Sequence, residues 1–191
     1  RAQSENPEDG KKGLQAIWIT PIRALTKEIQ SAVNRTAQDL GLDWEVAIRS
    51  GDTSSSDRQK QKRKPPQILI TTPESLHLLL ASKGYPKFFG NLQAVIVDEW
   101  HELIGSKRGV QMELALSRFK GFLPDLKVWG ISATIGNMDE AVAALMGNTP
   151  KGKCRIVKAD IPKVIKIESV LPDEVDRFPW AGHLGIKLVE E

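Results

Sequence analysis

Asp98 and Glu99 stand side by side directly after the apolar run Ala94-Val95-Ile96-Val97. A β-branched run without polar interruption suits a strand covered on both faces of a parallel sheet. Open α/β sheets take their ligands at the carboxyl ends of the strands, which is where this pair falls. Adjacent carboxylates suit a hard cation that uses one or two protein oxygens and fills its shell with water and phosphate. Asp98 and Glu99 are therefore the candidate metal pair, and one of them can also orient or deprotonate a water. For a lone Asp-Glu pair the reading as a surface turn capped by acids wins. The functional alternative gains weight from Ile131-Ser132-Ala133-Thr134, which closes a second apolar stretch and brings hydroxyls to another strand end.

A second chemistry concerns phosphate without catalysis. Thr20-Pro21 and Thr72-Pro73 each combine a hydroxyl with a proline suited to a helix first turn, where backbone N–H groups are free. Arg23 adds a charge beside the first, and Gly51 permits a close backbone approach at a third loop. Any α/β domain has such capping motifs. Three of them on the carboxyl side of one sheet favour a groove that follows a nucleic-acid backbone and reads phosphate rather than bases.

The elements that must position these groups alternate along the chain. Strands are expected over residues 15–20, 44–48, 68–71, 94–97 and 126–131. Between them, a helix from Pro21 carries Ile22, Leu25, Ile29, Val33, Ala37 and Leu40 at spacings of three and four. A short polar helix is expected over 54–62, and further helices from Pro73 to Leu80, over 109–122 and from Met138 to Met146. Alternation of this kind predicts an α/β fold with a mostly parallel sheet flanked by helices. Residues 1–13 read as a flexible lead-in, 14–150 as the domain, and 151–191 as an extended segment and linker, with extended stretches at 154–157 and 164–170. The basic run Arg58 to Lys64 reads as a solvated helix face.

With 191 residues the chain can bury one good core. Its net charge of +3 and pI near 9.0 permit nucleic-acid binding without requiring it. The single cysteine, Cys154, excludes an intrachain disulfide and fits a reducing, cytoplasmic compartment. No apolar run approaches the roughly 18 residues of a membrane span, so no membrane partner is expected. His101-Glu102 lacks the second histidine of a metalloprotease motif, since residue 105 is Gly. The Gly-x-Gly-x-x-Gly of a dinucleotide site is also absent.

Asp98-Glu99-Trp100-His101 with Ser132-Ala133-Thr134 resembles motifs II and III of superfamily-two DExH helicases. Thr20 to Leu25 resembles motif Ia, Thr71 to Leu76 motif Ib, and Arg49-Ser50-Gly51-Asp52-Thr53 the loop between them. The run from Val97 through Trp100-His101-Glu102-Leu103 to Lys107-Arg108-Gly109 is similar to the Lhr-like group, nearest its bacterial ligase-associated DEXH-box branch. The resemblance implies a RecA-like domain of an ATP-dependent DNA helicase in DNA repair, with ATP and Mg²⁺ as cofactors. Asp98 would hold Mg²⁺ through water, Glu99 would activate the attacking water, and His101 would join the nucleotide site to motif III or to an opposing domain. Ser132 and Thr134 would transmit nucleotide state, while Thr20, Pro21, Arg23, Gly51, Thr72 and Pro73 would follow the nucleic acid. Implied partners are single-stranded or partly duplex DNA, together with a DNA ligase and nuclease of the same repair system. An RNA-directed DExH helicase and a non-enzymatic nucleic-acid-binding module are the alternatives.

The resemblance departs from its family at one place. A nucleoside-triphosphatase of this type needs a glycine-rich loop ending in Gly-Lys-Ser/Thr. Gly10-Lys11-Lys12, Gly105-Ser106-Lys107 and Gly152-Lys153-Cys154 all fail that pattern. The expectation is a truncated first RecA-like domain with a short extended appendage, inactive alone as an ATPase.

Overall fold

The computed structural model describes residues 13–133, 135–159 and 166. The lead-in over 1–13, Thr134, the stretch expected over 164–170 and the rest of the linker beyond it lie almost wholly outside them. Contacts divide the chain into two units, Arg1–Cys154 and Arg155–Glu191. Residues 155–159 and 166 of the second unit carry no helix or strand, so the extended stretch expected at 154–157 joins no sheet among the described residues.

In the first unit five strands, β1 (Ala16–Ile19), β2 (Val46–Arg49), β3 (Ile68–Thr71), β4 (Ala94–Val97) and β5 (Lys127–Gly130), form one sheet of order β2-β3-β1-β4-β5. Every pairing is parallel. Ile19 pairs with both Thr71 and Val97, Arg49 pairs with Thr71, and Val97 pairs with Gly130. The strands therefore end level, and everything that follows them leaves on one edge. The predicted α/β class and parallel sheet are what the structure shows. Ile17, Ile19, Val95 and Val97, on one face of β1 and β4, are completely buried, whereas Ala16, Trp18, Ala94 and Ile96 on the other face are only half-buried. The two-sided cover expected of Ala94–Val97 is thus complete on one face alone. In β3 the consecutive Leu69 and Ile70 are both buried. At the β5 edge Trp129 is 63% exposed, so apolar character there does not mean burial.

Among the described residues six α-helices lie between the strands, α1 (Thr26–Asp39), α2 (Ser55–Arg63), α3 (Pro73–Leu80), α4 (Tyr85–Phe88), α5 (Trp100–Leu103) and α6 (Lys107–Phe122), and a seventh, α7 (Met138–Met146), follows β5. Side-chain caps start four of them, with Ser54, Thr72, Ser106 and Asn137 each accepting a backbone N–H of the first turn. The helix expected from Pro21 starts later. Residues Arg23–Leu25 form a single 3-10 turn, because the Thr20 hydroxyl accepts the Ile22 N–H and the Thr26 hydroxyl donates to the Arg23 carbonyl. Its apolar stripe is half-covered: Ala37 is buried, while Ile22 and Leu40 are exposed. α6 buries Met112, Ala115, Leu116 and Phe119 on one face, and Phe119 meets Phe89 edge-on at 4.9 Å.

α6 starts close beneath α5. A Cβ on Gly109 would lie 2.1 Å from the Leu103 carbonyl oxygen, whereas a Cβ on Gly121 of the same helix would meet nothing within 4 Å. The two glycines should respond with opposite sign to alanine. Gly109→Ala is expected to cost about 1–3 kcal/mol through backbone displacement. Gly121→Ala should gain up to about 1 kcal/mol from helix propensity. Urea unfolding of both variants against the parent measures this; a neutral Gly109→Ala would mean that α5 and α6 pack more loosely than described.

Candidate functional site

The turn after β4 is fixed by backbone bonds to β5. The Ile131 N–H donates to the Val97 carbonyl at 2.9 Å, and the Trp100 N–H donates to the Ile131 carbonyl at 3.0 Å. Between these two anchors Glu99 takes a left-handed conformation, φ 49°, and is the only non-glycine residue at positive φ among those described. Such a conformation costs roughly 1–2 kcal/mol for a residue with a Cβ and persists only when its surroundings impose it. Trp100 is 2% exposed, and its indole N–H donates to the Ala141 carbonyl at 3.0 Å. Its role is packing: it locks α5 against α7.

Asp98 is held from two sides. The Trp18 indole N–H donates to one carboxylate oxygen at 3.2 Å and the Glu99 amide to the other at 3.0 Å. Trp18, from β1, was absent from the sequence-derived site, and its only signal is the register that sets it beside Ile96 of β4. No cluster of three or more His, Cys, Asp or Glu side chains able to hold a metal exists among the described residues. Asp98 and Glu99 thus offer two oxygen ligand groups, a set that fits Mg²⁺ sharing its shell with water and phosphate and does not fit an all-protein cage.

His101 turns toward the end of β5. Its Nδ1 lies 3.2 Å from the Ser132 hydroxyl and accepts the Ala133 N–H at 3.3 Å. An acceptor at Nδ1 places the ring proton of the neutral imidazole on Nε2, 3.5 Å from Glu102 Oε1. Glu99 Oε2 is 3.4 Å from the same Nδ1, a contact that becomes an ion pair only in the imidazolium form. The partner the structure gives Ser132 is thus His101. Thr134 lies outside the described residues.

Farther along the same edge, the three loops expected to meet phosphate have unequal groups on offer. Thr20 and Thr72 are buried, and their hydroxyls serve their own turns: Thr20 receives the Ile22 N–H, and Thr72 receives the Ser75 N–H. Pro21 and Pro73 are buried too. What stands exposed is Arg23, whose guanidinium lies over Gly51 and reaches Asp52 Oδ2 at 3.4 Å. A Cβ at Gly51 would come within 3.2 Å of Arg23 Nη2, so the close approach that Gly51 permits is that of a guanidinium.

Arg108, which the sequence places only in the run resembling the Lhr-like group, ties two of these loops together. Its Nε donates to Glu74 Oε1 at 2.6 Å and its Nη2 to the Pro21 carbonyl at 3.0 Å. Partial burial alone pushes the Glu74 carboxyl up. Bonds from Arg108, from the Glu74 amide and from the Thr72 hydroxyl favour the charged form and bring it below the usual carboxylate value.

A five-stranded parallel sheet with carboxylates and a histidine after one strand, bonded to a Ser-Ala turn after the next, is the RecA-like helicase domain fold. The sequence pattern of the DEAD/DEAH box helicase family matches residues 2–141, and the chain belongs to that family. It is 34% identical over 178 residues to the ATP-dependent helicase Lhr-Core of Methanothermobacter thermautotrophicus, covering 86% of this chain and 21% of that protein. The Lhr helicase/uracil glycosylase of Escherichia coli is 36% identical over 151 residues, which is 73% of this chain and 10% of that protein. The chain thus spans a tenth to a fifth of these relatives' lengths. Among solved structures, Mycobacterium smegmatis helicase Lhr bound to ssDNA and AMP-PNP superposes with a TM-score of 0.64 at 33% identity, covering 73% of this chain and 19% of that one.

The Arg108–Glu74 clasp gives a pH dependence with a fixed sign. Glu74's folded pKa lies below its unfolded value, so its stabilisation is complete above about pH 4.3 and is lost as pH falls through the lowered folded value. Arg108→Met should therefore be less stable than the parent near neutrality, by at most about 1 kcal/mol for so exposed a pair. The gap should close as the medium is acidified below the ordinary Glu range. Urea midpoints of both proteins across an acid series measure it, and a gap that widens toward low pH is the contrary result.

Proposed function

We propose that this chain is part of the first RecA-like motor domain of an Lhr-like, ATP-dependent DNA helicase that moves along single-stranded DNA in DNA repair. The observation that carries the reading is the shared carboxyl edge. At one end Asp98 and Glu99 stand beside His101, which meets Ser132 and Ala133, and Arg23 lies over Gly51 toward the other. Mg²⁺ bound with ATP would supply neutralisation of charge on the phosphate oxygens. Asp98, its carboxylate fixed by Trp18 and the Glu99 amide, is the residue to hold it. Glu99, raised from the strand end by its left-handed turn, orients the attacking water and takes its proton. His101 ties that turn to Ser132, with Thr134 assigned to the same link.

On the nucleic-acid side, Arg23 and the Gly51 loop contact phosphate, while Thr20, Pro21, Thr72 and Pro73 shape the loops that present them. Contacts of this kind are tolerant of sequence, so DNA is assigned through the relatives rather than through geometry. The run from Val97 to Gly109 supports the narrower placement in the ligase-associated branch, with a DNA ligase and nuclease as cytoplasmic partners. No helix of the described residues is long and apolar enough to cross a membrane.

The sequence holds no Gly-Lys-Ser/Thr phosphate loop, and phosphoryl transfer depends almost entirely on positioning and electrostatics. The chain alone should therefore turn over no ATP; nucleic-acid-stimulated turnover abolished by Glu99→Gln would refute that. It should bind single-stranded DNA weakly and with steep salt dependence. Arg23→Ala should weaken binding equally on unrelated oligonucleotides and lower the salt slope by about one counterion. Anisotropy titrations at several salt concentrations, with an RNA of the same length as competitor, decide the matter. Arg23→Ala binding like the parent removes the groove, and preference for the RNA transfers the reading to an RNA helicase.

A further inference from the structure

The loop between β2 and α2 is tied down by arginine in a manner that its sequence does not announce. Arg58, on α2, donates from Nη2 to the Ser50 carbonyl at 3.1 Å and to the Gly51 carbonyl at 2.8 Å. A trans peptide points its C=O and N–H in opposite directions. Drawing the Ser50 carbonyl toward α2 thus turns the Gly51 N–H away from it, and drawing in the Gly51 carbonyl does the same to the Asp52 N–H. The Asp52 N–H reaches the Ser50 hydroxyl at 3.3 Å, whereas the Gly51 N–H meets no acceptor among the described residues. Above Gly51 lies the Arg23 guanidinium.

The ground beneath the loop is positive. Arg49 is 7% exposed, and its acceptors, the Arg58 carbonyl and Gln61 Oε1, both at 3.4 Å, are neutral. Burial first, and the Arg58 charge second, pull Arg49 below the usual guanidinium value. Neither Arg49 nor Arg58 forms an ion pair with a carboxylate among the described residues; the nearby Asp52 is engaged by Arg23 at the rim. A free amide and a guanidinium over a fixed positive field suit one phosphate oxygen.

We propose that Arg58 is a positioning residue for nucleic-acid binding: by holding the Ser50 and Gly51 carbonyls inward, it aims the Gly51 N–H, beside Arg23, at one backbone phosphate. The proposal rests on the nucleic-acid reading above. Arg58 itself touches no phosphate, and this separates it from Arg23. Losing one oriented, charge-assisted hydrogen bond lowers affinity by roughly tenfold. The salt slope stays the same, because no counterion-releasing contact has gone.

The test compares the parent chain, Arg58→Met and Arg58→Lys in binding a fluorescein-labelled oligo-dT across a salt series. Amide NMR spectra are recorded without DNA. Arg58→Met should bind roughly tenfold more weakly with the parental slope, and its Gly51 and Asp52 amide peaks should move while those of β1 and β4 stay. Arg58→Lys, which keeps the charge on a shorter reach, should fall between; it carries both readouts if Arg58→Met does not fold. A slope lowered by about one, as for Arg23→Ala, would make Arg58 a direct phosphate contact and overturn the proposal. So would parental affinity in both variants, or unmoved Gly51 and Asp52 amides. A parent chain that binds no oligonucleotide removes the nucleic-acid reading and the phosphate with it, whereas the amide spectra still decide whether Arg58 holds the loop.

Discussion

Both backbone polar groups of Ile131 are bonded, its carbonyl accepting the Trp100 N–H and its own N–H donating to the Val97 carbonyl. Those two bonds join the end of β5 to the turn leaving β4, and the chemistry at this edge depends on them. With Val97 and Trp100 both anchored, the two residues between have little freedom, and Glu99 is driven into the left-handed region. The same anchoring carries Ser132 and Ala133 to the His101 ring. Buried Trp100 supports the arrangement from below, because its side chain is fixed on α7 while its backbone is fixed on β5. A strained residue held by several independent contacts is the usual mark of a place where geometry has been favoured over stability.

Arginine does different work at different points of the edge. Arg23 is exposed and spans Gly51 to Asp52, a weak pair in solvent that an anion can displace. Arg108 bonds a carboxylate and a carbonyl from two loops at once, which suits the planar fork of a guanidinium better than the point charge of a lysine. Arg58 bonds only carbonyls. The three side chains are equivalent in a net-charge count, yet one is available to a ligand and two are engaged in holding backbone.

Much of the fold was legible because its signals are local. Strands at Ile68–Thr71 and Ala94–Val97 and helices at Pro73–Leu80 and Met138–Met146 fall where apolar runs, proline and periodicity put them. Their level ends follow from the parallel class once it is granted. α4 and α5 escaped because a single turn is too short to show a period. The start of α1 was misplaced because Thr20 and Thr26 can each satisfy backbone groups, and only their spacing in space decides which turn forms. At the site, Asp98, Glu99 and His101 announced themselves by adjacency. Trp18, Arg58 and Arg108 did not, since their partners lie 80, 7 or 8, and 34 or 87 residues away in sequence, and a hydrogen-bond donor without its acceptor carries no message.

β1 is where the two halves of the edge share material. It lies between β3 and β4, paired with both, and among the described residues is the only strand in contact with each half. Its Trp18 holds the Asp98 carboxylate, and the chain leaving it at Pro21 accepts the Arg108 hydrogen bond. Arg108 in turn lies in the first turn of the helix whose Gly109 is pressed against the Leu103 carbonyl at the end of α5, two residues beyond His101. A closed circuit results, from Asp98 through β1 to Pro21, across Arg108 into α6, and back through α5 to Glu99. Contiguity by itself transmits nothing unless some element has two arrangements. In this circuit the strands are fixed by ladders on both sides, which leaves the partly exposed Arg108–Glu74 clasp and the strained turn at Glu99 as the places where a change could begin.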